Sequence, residues 1–173
     1  MQTDNIILIG FMASGKGRTA RGLFRMTGKY AVDCDDLIES LCNMKVKQIF
    51  EEHGEAHFRQ LEQLTADWIR LHLRNSVIST GGGFLNVNGF KQLGTIVYLH
   101  GDFQYIIDTL YAHPNAKKKI KKRPLLQNMN KAEELYQKRV PLYRQVADLE
   151  VSIEGKTTDT ICREIVCGLK LCV

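Results

Sequence analysis

The sequence predicts an α/β fold, three layers (α/β/α) built around a five-stranded parallel sheet. Three observations lead there. Short apolar runs alternate with amphipathic helical patterns, the βαβα order that yields parallel sheets. Several of these runs are nearly continuous in apolar residues, as strands covered on both faces must be. Glycine or acidic clusters follow three of them, and ligands of open α/β sheets sit beyond the carboxyl ends of strands.

The first strand is expected over residues 5–9, Asn5-Ile6-Ile7-Leu8-Ile9, and a helical pattern follows from Thr19 to Met26. The second strand, Tyr30–Asp33, runs into Asp33-Cys34-Asp35-Asp36. Phe58, Leu61, Leu64, Trp68 and Leu71 then mark the apolar face of a long helix. Ser76–Ser79 is the third strand and leads through Thr80 into Gly81-Gly82-Gly83. Residues 95–99 and 149–153 complete the sheet. Ile161, Ile165, Val166 and Leu169 define the inner face of the last helix, with Thr158 or Asp159 as its cap.

The composition narrows the functional classes. A chain of 173 residues fits one domain, residues 1–173, with no repeat or linker to divide it. No apolar run approaches the ~20 residues of a membrane span, and Met1-Gln2-Thr3-Asp4 lacks the features of a signal peptide. A cytoplasmic protein without a membrane partner is expected. Five cysteines, an odd number without a Cys-x-x-Cys pair, argue for reduced and mostly buried thiols. His53 and His57 share a helix face, but no third ligand accompanies them and zinc is not expected. The net charge of +5 is concentrated in Lys117-Lys118-Lys119 and Lys121-Lys122-Arg123. This run is either a solvated charge cluster or a basic flap over an anionic ligand. Nucleic-acid binding is not expected, because no recognition motif accompanies the charge.

The chemistry is densest between Gly10 and Lys16. An apolar strand ends in a glycine, four residues intervene, and Gly15-Lys16 follows, which is a phosphate-binding loop without its closing Ser or Thr. Gly10 and Gly15 let the backbone curl so that N–H groups converge on phosphate oxygens. Lys16 and the following helix N-terminus add positive charge. The triple glycine suits a place where a ligand approaches the main chain closely. Taken singly, the charged residues have ordinary readings. Arg59 can pair with Glu55 or Glu62, Arg139 with Glu134 or with water, and Asp33 and Asp35 can cap a helix.

Taken in order, Gly10-Phe11-Met12-x-Ser14-Gly15-Lys16, Asp33-Cys34-Asp35, Phe58-Arg59-x-x-Glu62, Ile78-Ser79-Thr80-Gly81-Gly82-Gly83, Arg123-Pro124-Leu125-Leu126 and Arg139-x-x-x-Tyr143 resemble the shikimate kinase family. The resemblance implies a P-loop kinase domain that transfers the γ-phosphoryl group of ATP to the 3-hydroxyl of shikimate. It implies a mobile lid at about 111–124 and substrate-binding helices at about 34–62. Lys16, Asp35 and Arg123 would be catalytic. Gly10, Ala13, Ser14, Gly15, Lys16, Gly17, Arg18 and Arg123 would hold the nucleotide. Asp35, Arg59, Gly81, Gly82, Gly83 and Arg139 would hold shikimate, the two arginines offering planar forks for its carboxylate. Asp33 would hold Mg2+ through a water. Lys117 and Lys156 are candidates for the adenine, and the enzyme is expected to be a monomer.

Two departures stand out. Gly17 occupies the position of the usual magnesium-binding hydroxyl, and Thr19 points roughly 200° away around the helix, a poor substitute. Slower turnover or a higher magnesium requirement is the expectation. A non-catalytic or weakly active nucleotide-binding relative is the alternative. Ala13 stands where glycine is frequent, and its methyl is expected to be tolerated.

Overall fold

Asn5 does not begin the first strand; it fastens the base of the sheet. Its buried side chain donates to Leu73 O (3.0 Å) and Leu93 O (3.1 Å) and accepts from Ser76 N (3.1 Å). Three separate segments are thereby tied together by one amide. Replacing Asn5 with Ala strands these buried backbone groups and is expected to cost about 1–3 kcal/mol, measurable by urea unfolding.

The structure, a computed structural model, describes residues 4–116, 126 and 128–171. Strands β1 (Ile6–Ile9), β2 (Tyr30–Asp33), β3 (Ser76–Ser79), β4 (Thr95–His100) and β5 (Leu149–Ser152) form a five-stranded sheet. Its order is β2-β3-β1-β4-β5, and every pairing is parallel. The helices are α1 (Lys16–Thr27), α2 (Cys34–Cys42), α3 (Val46–His72), α4 (Phe103–Tyr111), α5 (Met129–Val146) and α6 (Thr158–Gly168). The expected α/β class and strand positions are observed, with ends shifted by a residue.

Period-two alternation explains the continuous apolarity of β1. Ile6 and Leu8 join Ala20 and Leu23 of α1 and Ile161 and Ile165 of α6 on one face. Ile7 and Ile9 join Ala66 and Ile69 of α3, with Phe84 and Phe90, on the other. Every β1 side chain is therefore buried, and a polar residue there would have no solvent to face.

Helix α3 departs from the expected packing. Leu64, Trp68 and Leu71 are 56, 44 and 59% exposed, while Phe58, Glu62, Thr65, Ala66 and Ile69 are buried. Two adjacent stripes both satisfy helical periodicity. The inner one carries Ala66, whose small side chain allows close approach, and Glu62, which the site below requires. Gly54 breaks the helix with φ 79°, a left-handed conformation that favours glycine. The last helix is capped by Thr157, not Thr158 or Asp159: its hydroxyl accepts from Thr160 N at 3.2 Å. Cys34 and Cys162 are buried, but Cys42 is half-buried and Cys167 exposed, so the thiols are less uniformly interior than expected.

Candidate active site

Because β2, β3 and β1 are neighbours, the segments that follow them open on one side of the sheet. After β1, Gly10 has φ 146°, and a Cβ there would stand 2.7 Å from Leu99 O. Only glycine fits. Ala13 adopts φ 67° and Gly15 φ 91°, so the loop takes a left-handed step at an alanine where glycine would carry no steric penalty. Lys16 folds back along the loop, its Nζ donating to Gly10 O (2.8 Å) and Phe11 O (3.0 Å). Ser14 Oγ is buried without a hydrogen-bond partner among the described residues, the kind of orphan a bound anion can satisfy.

After β2, Asp33 divides its two oxygens between two tasks. Oδ1 caps α2, accepting from Asp35 N at 3.0 Å and more weakly from Asp36 N at 3.4 Å. Oδ2 faces Gly17, 3.6 Å from where a Cβ would stand. The ordinary reading of Asp33 as a helix cap is thus correct without excluding a second role. At the start of α2, burial and the neighbouring Asp33 carboxylate push Asp35 up to about 6, with Lys16 pulling the other way. Cys34, between them, is buried, and burial pushes its thiol well up, which leaves it a poor nucleophile.

After β3, each of the three glycines lies against charged side chains, Gly81 against both Asp35 and Glu62. A Cβ on Gly81 would meet Asp35 Oδ1 at 2.9 Å, and one on Gly82 would meet Arg139 Nη1 at 2.6 Å. On Gly83 it would overlap the Arg59 guanidinium. None of the three has a positive φ, so the run exists for close approach and not for an unusual backbone conformation. The chain's own side chains press on this backbone, and Gly81 and Gly82 also line the cleft where a ligand would approach it.

Both arginines are held from behind. Arg59 is paired with Glu62, buried on α3, and with Glu55 at 2.7 Å. Burial pushes the Glu62 carboxyl up, and Arg59 opposes the shift. Arg139 does not pair with Glu134 as one of its ordinary readings had it; its guanidinium reaches across to Gly82 instead. Tyr143, one turn further along α5, donates its hydroxyl to Gly82 O at 3.1 Å and interacts with Arg139. Glu62 and Tyr143 are positioning groups that motif reading quoted but gave no task.

The resulting cleft measures about 560 Å³. Ala13, Gly15, Lys16, Gly17 and Arg18 form one wall, and Asp33, Asp35, Ser79, Gly81 and Gly82 another. Arg139 and Arg59 stand at its edge against Gly82 and Gly83. Arg139 reaches the opening only through Gly82 and Arg59 lies one residue beyond, against Gly83, while Lys16 and Asp35 line the opening itself. Ser79, Arg21, Thr109 and His113 also line it, and sequence reading assigned them nothing. Lys156 does not; it pairs with Glu164 at 2.7 Å. Arg123, Lys117 and most of the expected lid lie outside the described residues. Magnesium suits the donors present, since Asp33 Oδ2 and Ser79 Oγ are hard oxygens converging over Gly17.

Comparison with known proteins gives a consistent result. The family profile described as shikimate kinase matches residues 12–170. The shikimate kinase of Helicobacter hepaticus is 32% identical, over 94% of each chain. That of a Sulfurihydrogenibium species is 36% identical, over 96% of this chain and 98% of the relative. Among solved structures, shikimate kinase from Acinetobacter baumannii in complex with shikimate superposes with a TM-score of 0.81 at 29% identity, over 98% of this chain and 96% of that one.

Proposed function

The chain belongs to the shikimate kinase family, and on that premise we propose that it transfers the γ-phosphoryl group of ATP to the 3-hydroxyl of shikimate. The observation that carries the residue assignments is the triple glycine, which brings Asp35, Arg139 and Arg59 to one stretch of backbone beside the phosphate loop. Arg139 and Arg59 bind the shikimate carboxylate as planar forks, and their fixed partners make that geometry rigid before the substrate arrives. Asp35 accepts the proton of the attacking hydroxyl and orients it. Lys16, now bonded to loop carbonyls, turns its ammonium to the transferring phosphoryl, and the N-terminal amides of α1 hold the neighbouring phosphates. Magnesium, held through Asp33, supplies charge neutralisation at the phosphates when bound. Arg123 and the basic run before it complete the proposal as a lid that excludes water.

Gly17 is the one feature favouring a non-catalytic relative. The retained acid and both arginines weigh against it, since a protein that only binds nucleotide has no use for an acceptor site.

The position of Asp35 sets a pH dependence. Its carboxylate form is required, and its pKa lies at about 6, above the ordinary aspartate value. Activity is therefore complete above that pH and falls as pH drops through it. A kcat/KM profile for shikimate with an acid limb near pH 6 is expected; a flat profile down to pH 4.5 would remove Asp35 from the role. The function itself is tested by coupled ADP release with ATP and magnesium, supplying shikimate, gluconate or a nucleoside monophosphate in turn. ADP release that requires shikimate is expected. Equal release without an acceptor, or with gluconate, overturns the assignment.

A further inference from the structure

A Cβ on Gly17 would stand 3.6 Å from Asp33 Oδ2 and 3.8 Å from Ser79 Oγ. A carboxylate oxygen and a hydroxyl from the ends of two strands thus lie within 4 Å of the point where a side chain at residue 17 would begin. This follows from sheet register. Ser79 is the last residue of β3 and pairs with Asp33 on one side and Leu8 on the other. Paired residues of parallel strands project to the same face, so carboxylate and hydroxyl rise side by side toward α1. Ser79 is buried, which fixes its hydroxyl in place, yet it lines the cleft. Arg21 Nη1 also comes to 3.6 Å of that point, but its residue is exposed and can swing away when a cation enters.

We propose that Ser79 Oγ is the protein hydroxyl that ligates the nucleotide-bound divalent metal in this chain, taking the position left open at residue 17, with Asp33 Oδ2 holding a metal-bound water. The inference rests on the cleft being the ATP site. A neutral hydroxyl and one carboxylate acting through water match a cation that keeps most of its aqueous shell. They also explain how the site dispenses with a serine after Lys16.

The test uses Mn2+ as an EPR-visible substitute for magnesium, the intact protein, and a non-hydrolysable ATP analogue. Ser79→Ala is expected to weaken Mn2+ binding in the nucleotide complex by about 10- to 100-fold, leaving metal-free binding of the analogue unchanged by calorimetry. The near-isosteric Ser79→Cys guards against a folding defect. It should lose Mn2+ affinity and gain affinity for Cd2+ relative to Ser79→Ala, because a thiolate prefers the softer ion. Unchanged Mn2+ affinity in Ser79→Ala, or no gain of Cd2+ affinity in Ser79→Cys, overturns the proposal. Failure of the analogue to bind even the unmodified protein would instead refute the nucleotide reading of the cleft.

Discussion

Lys16→Met is expected to lower kcat/KM by about 10²- to 10³-fold, the loss associated with removing one preorganised group that stabilises transition-state charge. Lys16 is buried, so its ammonium acts in a setting where solvent screens little. Its present hydrogen bonds to Gly10 O and Phe11 O keep it within the loop, a short movement from any phosphate bound there. Methionine keeps most of the apolar stem but leaves the buried Gly10 and Phe11 carbonyls without their donor, so a stability loss of about 1–3 kcal/mol is expected beside the kinetic effect. The division of the effect is diagnostic. A fall in kcat with a modest change in the KM for ATP identifies a group acting mainly on the transferring phosphoryl. An unchanged kcat would mean that the lysine only ties the loop together.

Asp35→Asn is expected to reduce kcat by about 10²- to 10⁴-fold, the range spanned by a positioned general base. The amide keeps the size and one acceptor oxygen, so the acceptor hydroxyl still finds a partner, but no group remains to take its proton. The acid limb near pH 6 should vanish from the residual activity, because the group responsible for it is gone. A second consequence concerns stability. Asp35 stands among like charges, with Asp33 and Glu62 both raising its pKa. Removing its charge relieves that repulsion above pH 6, and Asp35→Asn is expected to melt no lower than the unmodified protein at pH 8. Gain of stability with loss of turnover is the pattern of a residue kept for chemistry.

The sheet was legible because β1 and β4 are nearly continuous apolar runs and the shorter strands end in polar or acidic residues, and the phosphate loop because its glycines meet a steric demand. Gly10 shows this best, where any side chain would strike Leu99 O. The orientation of α3 was not legible. Leu64, Trp68 and Leu71 repeat at helical spacing as well as the buried set does, and only the sheet beneath decides between them. Nor was the purpose of Gly81, Gly82 and Gly83, since the side chains that press on them arrive from α2, α3 and α5, more than twenty residues away in sequence. Thr157 lost the capping assignment to its neighbours for a simpler reason: adjacent Thr157 and Thr158 offer equivalent hydroxyls, and one residue of register separates them. Ser79 appeared within a quoted motif without a task, because its partner, Gly17, is sixty-two positions earlier and carries no side chain to signal the contact.

All of this depends on the phosphate loop and the arginine pair serving one shared cleft. Nuclear relaxation of bound shikimate by Mn2+ held with a non-hydrolysable ATP analogue measures that directly. Marked enhancement of the relaxation of the shikimate ring protons, abolished when excess magnesium displaces manganese, is the predicted result. Shikimate that binds the same complex yet shows no paramagnetic enhancement would place the two sites apart and contradict the account.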